Sequence, residues 1–304
     1  MFLPDPFNLT RKVTKLIYKP DWLHSHASYP TPFQLDSHRI SLFFSARDQG
    51  NRSHIGVMDM LDGEIISQPR LVLAPGEPGD FDQNGLTPAC VIDVEGDLWL
   101  YYLGWQVKKE VPFQNQVGLA ICKKGENSFQ KHPAGPLLGI NDMDHLSLSY
   151  PFVLREQDGF KMWYGSHLSW EADGFPMKHV IKYAHSEDGI HWQREGHICL
   201  DVTKNDYAFA RPWVIPKEEG YEMYYCFRGA SYQIGYAISA DGLRWERKDH
   251  LLELGEMPGW AKQMQCYPSI ATIHHQKVLF FNGNQYGQTG IGMMSKFGNE
   301  QMSR

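Results

Sequence analysis

Titratable side chains recur at a fixed distance before a proline that repeats along this chain. Five prolines (Pro30, Pro88, Pro151, Pro212 and Pro268) stand roughly 60 residues apart, and such a spacing indicates a structural repeat. Six residues before them lie His24, Asp82, His145, Asp206 and Lys262. Because general acid–base chemistry needs carboxyl groups held near a reacting bond, we predict Asp82 and Asp206 as catalytic residues, with Asp144 in reserve. The alternative is that these strand-entry loops are polar because they face solvent.

A second set of candidates stands at the end of a repeated apolar stretch. The segments LFFSAR, LYYLGW, MWYGSH, MYYCFR and LFFNGN end in Arg47, Trp105, His167, Arg228 and Asn284, and we predict that these side chains bind substrate around one mouth of the fold. His145 and two residues that directly precede prolines, Arg211 and Tyr267, join the predicted binding set. Guanidinium groups match carboxylates and phosphates geometrically, so the arginines favour an anionic substrate. Salt bridges for the arginines and core packing for the tryptophan are the alternatives.

The repeat also predicts the fold. Each unit has a strand at the proline, an aromatic strand, and a third apolar strand; SEDGIHW and SADGLRW then supply Asp-Gly turns before a fourth strand. Four short antiparallel strands in each of five units are typical of an all-β, five-bladed β-propeller. We predict one domain over 1–304, with blades near 21–80, 81–140, 141–200, 201–256 and 257–304 plus 10–20. Residues 12–18 are expected to pair with residues 291–294 and close the last blade.

Composition narrows the functional classes. The chain has 304 residues and a net charge of −6, whereas nucleic-acid binders usually carry a basic stripe, so no nucleic-acid partner is expected. No apolar run approaches a membrane span, and the N-terminus lacks the apolar core of a signal peptide. The five cysteines are odd in number and dispersed, which favours reduced thiols and a cytoplasmic location. Oligomeric state is left open.

Other possible ligand sites are weak in the sequence. The HSH at 24–26 and the HH at 274–275 lack a third ligand at a suitable spacing, so no metal site is predicted. GQTGIG is not followed by a helix that would cradle a phosphate. No cofactor is predicted.

Several segments resemble known five-bladed propellers. The Asp-Gly-x-x-Trp turns and ARDQGNRSHIG look like those of glycoside hydrolases of the arabinanase, invertase and mannoside-phosphorylase types. Over almost the whole chain, YAFARPWVI, CYPSI and NGNQYGQTGIG resemble uncharacterised glycosylase-like proteins of bacterial surface-polysaccharide gene clusters. The resemblance implies a carbohydrate or sugar-nucleotide ligand.

This chain departs from the characterised hydrolases at the positions of their catalytic carboxylates. In the characterised hydrolases, catalytic carboxylates stand just before or beside the first-strand prolines, where this chain has Tyr29, Thr87, Tyr150, Arg211 and Tyr267. Three functions therefore stay open. The chain is expected to be a glycosidase-like enzyme that cleaves a glycosidic or glycosyl-phosphate bond. The alternatives are a non-hydrolytic binding propeller and a transferase or tailoring enzyme that acts on an activated sugar.

Overall fold

The chain folds almost entirely into antiparallel β-structure. The computed structural model describes residues 20–133, 135–171, 177–204, 206–295 and 297–298. Helical geometry in these residues is confined to three short turns: Asp21–Leu23, Asp249–Leu251 and α1 (Asn284–Gly287). None of the described helices is long and apolar enough to cross a membrane.

The strands group into five successive antiparallel arrays. The first array contains β1 (Ser25–Gln34), β2 (Arg39–Arg47), β3 (Ser53–Leu61), β4 (Glu64–Ile65) and β5 (Arg70–Leu73). The second contains β6 (Leu86–Val94), β7 (Asp97–Gly104), β8 (Gln116–Cys122) and β9 (Gln130–Lys131). The third contains β10 (Leu148–Glu156), β11 (Gly159–Ser169), β12 (Lys178–Ser186) and β13 (Ile198–Leu200).

The last two arrays follow the same order. The fourth contains β14 (Ala208–Pro216), β15 (Tyr221–Arg228), β16 (Tyr232–Ser239) and β17 (Glu246–Arg247), and one parallel bridge between His179 and Ala208 joins it to the third array. The fifth contains β18 (Cys266–Ile273), β19 (Gln276–Asn282) and β20 (Ile291–Met294). The closing strand predicted for 12–18 lies outside the described residues.

The first strands of the arrays contact one another in a cycle. β1 contacts β6 and β18, β10 contacts β6 and β14, and β14 contacts β18. Apolar side chains fill the space between adjacent arrays; one cluster, for example, joins Leu42 and Phe44 of β2 with Val278 and Phe280 of β19. The five cysteines are free and buried.

The repeated prolines interrupt the pairing between first and second strands. The register shifts at every one, for example between Ser149 and Phe152, because proline has no N–H to give to the ladder. At four of the five bulges the residue before the proline has a positive φ: Tyr29 (54°), Tyr150 (28°), Arg211 (57°) and Tyr267 (56°). Residues other than glycine rarely adopt this backbone conformation, and such backbone strain is concentrated at functional sites.

Candidate functional site

The tyrosines at three of these bulges meet where the first strands converge. The hydroxyl of Tyr150 donates a hydrogen bond to the hydroxyl of Tyr29 at 2.9 Å. The ring of Tyr267 lies 4.2 Å from that of Tyr29, centroid to centroid, and Tyr232 of β16 lies 6.4 Å from Tyr267. Burial raises the pKa of all four phenols, so each stays protonated and can both donate and accept a hydrogen bond. We call these four residues the axial tyrosines.

Arg211 occupies the corresponding bulge of the fourth array and is fully buried. Its Nη1 donates to the carbonyl oxygens of Pro88 and Ala89 at 3.0 and 2.8 Å. Its Nη2 donates to the carbonyl of Pro30 at 3.0 Å and to Oγ1 of Thr31 at 2.7 Å. Burial lowers its pKa to about 10, which still leaves it charged at neutral pH. Its Nε has no hydrogen-bond partner among the described residues.

The five strand-end residues occupy equivalent places in their arrays. Arg47 pairs with Ser25 and Arg228 pairs with Ala208, both at the start of a first strand. The backbone N–H groups of Trp105 and His167 donate to carbonyls that lie just before β6 and β10. Asn284 lies two residues beyond the end of β19. We call this end of the arrays the mouth.

Two arginines line the mouth beside the axial tyrosines. Nη1 of Arg47 donates to Oδ1 of Asn51 at 3.0 Å. Arg47 also lies near His26, whose pKa falls to about 4, chiefly through burial and further through the charge of Arg47. The guanidinium of Arg228 lies 5.4 Å from the ring of Tyr207 and 5.6 Å from that of Tyr232.

Three of the described arginines differ from the others in having no carboxylate within salt-bridge distance. Seven of the ten described arginines lie within salt-bridge distance of a carboxylate: Arg39, Arg52, Arg70, Arg155, Arg194, Arg244 and Arg247. The other three are Arg47, Arg211 and Arg228, and all three lie at the mouth or against the first strands. These three guanidinium charges are therefore not neutralised by a carboxylate of the described residues, in a chain whose net charge is −6.

Aromatic side chains form one wall of the mouth. Phe113 packs edge-on against Trp105 and Trp170, each at 5.1 Å between centroids, and against His167 at 5.6 Å. Nε1 of Trp105 donates to Oγ1 of Thr87 at 3.3 Å. Trp105, Phe113 and Trp170 are only partly buried, so ring surface is open to a ligand. Such surfaces stack on the apolar faces of ring-shaped ligands.

Two histidines stand behind this wall. His167 and His179 pack with their rings 4.2 Å apart, and Nε2 of His179 lies 2.9 Å from Oγ of Ser149. Burial lowers the pKa of His167 to about 4 and holds that of His179 well below its usual value, so both rings are neutral near pH 7.

The three aspartates predicted as catalytic lie in three different arrays, each paired with a cation. Oδ2 of Asp82 lies 2.6 Å from Nζ of Lys131 and accepts a hydrogen bond from the hydroxyl of Tyr102 at 3.1 Å. Asp206 lies 2.5 Å from Nη1 of Arg247. Neither of these two carboxylates contacts Arg211 or Arg228 among the described residues, because each is paired with a cation of its own array.

Asp144 has the most complete set of partners. Its carboxylate lies 3.0 Å from Nζ of Lys182 and 3.1 Å from Nη1 of Arg194. It also accepts hydrogen bonds from the hydroxyls of Tyr164 at 2.8 Å and Ser166 at 2.6 Å. Burial alone raises the pKa of Asp144, but these hydrogen bonds and the charge of Lys182 hold it below its usual value. The structure does not bring Asp82, Asp144 and Asp206 together, and their catalytic assignment stays a prediction.

The remaining predicted binding residues, Asn284, His145 and Tyr267, lie in different surroundings. Asn284 uses its side chain within the mouth loops: Oδ1 accepts from the backbone N–H groups of Gln263 and Met264, and Nδ2 donates to the carbonyl of Gly259. His145 is exposed to solvent, whereas Tyr267 is buried among the axial tyrosines. Sequence reasoning named Tyr29 and Tyr150 only as departures from a hydrolase pattern; their place before a bulged proline was the available signal.

The chain is similar in sequence to an uncharacterized protein and in fold to solved glycoside hydrolases. No family model matches it. It is 35% identical over 280 residues to the uncharacterized protein Rv1502 of Mycobacterium tuberculosis, a match that covers 90% of this chain and 93% of that protein. A solved structure described as a glycoside hydrolase superposes with a TM-score of 0.72 at 17% identity and covers 92% of this chain and 90% of its own. An α-L-arabinofuranosidase from Lactobacillus brevis gives a TM-score of 0.69 at 11% identity and covers 92% of both chains.

Proposed function

This chain belongs to the family of the uncharacterized protein Rv1502, and its fold is similar to that of solved glycoside hydrolases; we propose that it binds an anionic carbohydrate at the mouth. The observation that carries this proposal is that Arg47 and Arg228, which are half-buried at the mouth, have no carboxylate partner among the described residues. Arg211 also lacks one, but it is fully buried and its terminal nitrogens are bonded to oxygen atoms of the first and second arrays. A half-buried guanidinium that lacks a carboxylate partner in the described part of the chain is available to a carboxylate or phosphate on a ligand.

The proposal includes the arrangement of the arrays. We infer that the five arrays are the blades of a single five-bladed propeller domain with the axial tyrosines near its axis. The cyclic contacts among β1, β6, β10, β14 and β18 support this count. The mouth would then be one end of the central funnel.

The aromatic wall supports a sugar as the body of the ligand. Partly exposed rings of Trp105, Phe113 and Trp170 stand on one side of the mouth, and Arg228 stands over Tyr232 on another. A pyranose ring could stack on the first group while its carboxylate or phosphate meets an arginine. A uronic acid, a sialic-like sugar or a nucleotide sugar from surface-polysaccharide metabolism has this chemistry.

Two forms of the proposal differ in reaction. In the enzymatic form, Asp82 and Asp206 act as acid and base on a glycosidic or glycosyl-phosphate bond, with Asp144 in reserve. In the binding form, the ligand is held without cleavage. The pairing of each aspartate with a cation of its own array favours binding, since those carboxylates already neutralise Lys131, Arg247 and Lys182.

Calorimetric titration with uronic-acid oligosaccharides, nucleotide sugars and neutral oligosaccharides tests both forms. We expect an acidic ligand to bind more tightly than the neutral ones. Arg47→Gln should weaken that binding by about 10- to 100-fold, the worth of one charged hydrogen bond. Arg52→Gln, a change of the same kind at an arginine paired with Asp48, is the matched control and should bind normally. Equal affinity for neutral and acidic sugars, or equal losses in both variants, would overturn the proposal.

Product analysis by NMR then separates the two forms. If an acidic sugar is cleaved, Asp82→Asn and Asp206→Asn should each lower the rate by about 10² to 10⁴, as expected for lost acid–base catalysis. Full activity in both variants rules out the enzymatic assignment. Tight binding with no product supports the binding form.

A further inference from the structure

Three potential metal ligands meet at hairpin turns on the side opposite the mouth. His38 lies in the turn between β1 and β2, Asp62 in the turn between β3 and β4, and His274 in the turn between β18 and β19. The β1–β2 turn follows Gln34, whereas Arg47 at the other end of β2 pairs with Ser25. The cluster therefore lies away from the site of the proposed function and joins the first array to the fifth.

The donor atoms of the three side chains are already close. Nδ1 of His38 lies 2.8 Å from Oδ1 of Asp62, and Nε2 of His274 lies 3.0 Å from the same oxygen. All three donor atoms lie within 4.8 Å of one another. The two imidazole rings are nearly perpendicular, at 83°, so their nitrogens approach one point from different directions.

The backbone holds this arrangement across the two arrays. The N–H of Asp62 donates to the carbonyl of His38 at 2.8 Å, and the N–H of His274 donates to the carbonyl of Ser37 at 3.0 Å. Asp62 and His274 both have left-handed backbones, with φ of 50° and 49°. The N–H of Thr272 donates to Oε1 of Gln34 at 2.9 Å and adds a further link between the same arrays. The backbone thus already holds the three turns beside one another.

We propose that His38, Asp62 and His274 form a binding site for a divalent transition-metal ion, with Zn²⁺ the best match. Two imidazoles and a carboxylate suit Zn²⁺, whose bonds to such ligands are about 2.0–2.2 Å long. Tetrahedral bonds of that length place donor atoms roughly 3.3 Å apart, so the two observed N···O separations of 2.8 and 3.0 Å need to open by only a few tenths of an ångström. The two ring nitrogens lie within 4.8 Å of each other, and this third separation has to reach the same value by side-chain rotation. Water completes the coordination, because each side chain is about half exposed, between 45% and 56%.

Proton positions differ between the two states. In the ion-free cluster each imidazole can donate its N–H to Asp62, whereas a metal needs the lone pair of that same nitrogen. Binding therefore moves the proton of each ring to its other nitrogen, which in His38 is Nε2 and in His274 is Nδ1. The ion then links turns of the first and fifth arrays and stabilises the folded chain, because the unfolded chain does not bring the three ligands together.

Titration of tag-free protein with Zn²⁺ and Co²⁺ tests the site. We expect one Zn²⁺ to bind per chain and the melting temperature to rise with Zn²⁺ concentration. Bound Co²⁺ should show the visible absorption of a four- or five-coordinate ion. His274→Asn and Asp62→Asn should each weaken Zn²⁺ binding at least tenfold and remove the thermal shift; asparagine is chosen because it tolerates left-handed backbones.

His275→Asn is the matched control. His275 is adjacent, exposed and left-handed, with φ of 62°, but lies outside the three-ligand cluster. It should bind Zn²⁺ as the wild type does. The proposal is overturned if Zn²⁺ does not bind, or if His275→Asn weakens binding as much as His274→Asn. Circular dichroism of each variant verifies folding, and His38→Gln provides a second ligand removal in case His274→Asn does not fold.

Discussion

Replacing Asp144 by asparagine should destabilise the fold, because it leaves two cations without their buried partner. The carboxylate is fully buried, and Lys182 and Arg194 beside it are 5% and 10% exposed. Breaking a buried ion pair by removing one member costs about 3–5 kcal/mol. Asparagine keeps the shape, and its single amide oxygen can still accept the hydrogen bond of either Tyr164 or Ser166, so we expect the lower end, about 3 kcal/mol. At roughly 2–4 °C per kcal/mol for a large domain, the melting temperature should fall by roughly 6–12 °C.

The pH dependence gives this prediction a second readout. The folded-state pKa of Asp144 lies below its usual value, so its contribution to stability is fully present above the unfolded pKa of about 3.9. It disappears as pH falls through the lower, folded value. The difference in unfolding free energy between wild type and Asp144→Asn should therefore be constant near neutrality and shrink below about pH 4.

Urea unfolding at pH 7 measures the effect, with Asp142→Asn as the control. Asp142 is exposed two residues upstream, and surface changes of this kind stay within about 0.5 kcal/mol. Equal stability of the two variants would refute the structural account of Asp144. A stable Asp144→Asn protein that had lost turnover of a carbohydrate would instead support the catalytic prediction.

Two further predictions concern burial. The pKa of His167 is lowered to about 4 by burial, so between about pH 6.5 and 4 the imidazole is protonated only in the unfolded chain. The unfolding free energy should therefore fall as the pH falls through this range. In urea unfolding measured at several pH values, His167→Gln should reduce this pH dependence. Gly118→Ala should lower the unfolding free energy by about 1–3 kcal/mol, because a Cβ there would lie 2.3 Å from the ring of Tyr102. Gly259→Ala is the control: open space surrounds this glycine, so the same assay should show almost no change. Equal effects of the two variants would contradict this packing argument.

Strand order was predictable because local patterns determine it. Apolar stretches such as LYYLGW and their spacing from the prolines predicted second strands, and the first five residues of LYYLGW lie in β7. The Asp-Gly turns also form as expected: in the third array, Oδ1 of Asp188 accepts backbone hydrogen bonds from Ile190 and His191. These contacts join residues close in sequence, so composition and spacing are sufficient to indicate them.

Side-chain partners were not predictable in the same way. Spacing placed Asp82 at a strand entry, but its cation, Lys131, comes from the last strand of the array. The cluster of His38, Asp62 and His274 joins three distant turns, which is why the adjacent pair at 274–275 seemed to lack a third ligand. Only the packing of strands decides which of many polar residues meet.

The hydrogen bonds of Arg211 have a consequence for how the molecule unfolds. In a linear repeat protein each unit contacts only its neighbours, so an end can unravel while the rest stays folded. Here one guanidinium from the fourth array is bonded to carbonyl oxygens of the first and second arrays. Loss of either partner array would leave a charge in an apolar interior with too few acceptors. That penalty disfavours partly unfolded states and makes the described arrays unfold as one cooperative unit, although the sequence that encodes them is modular.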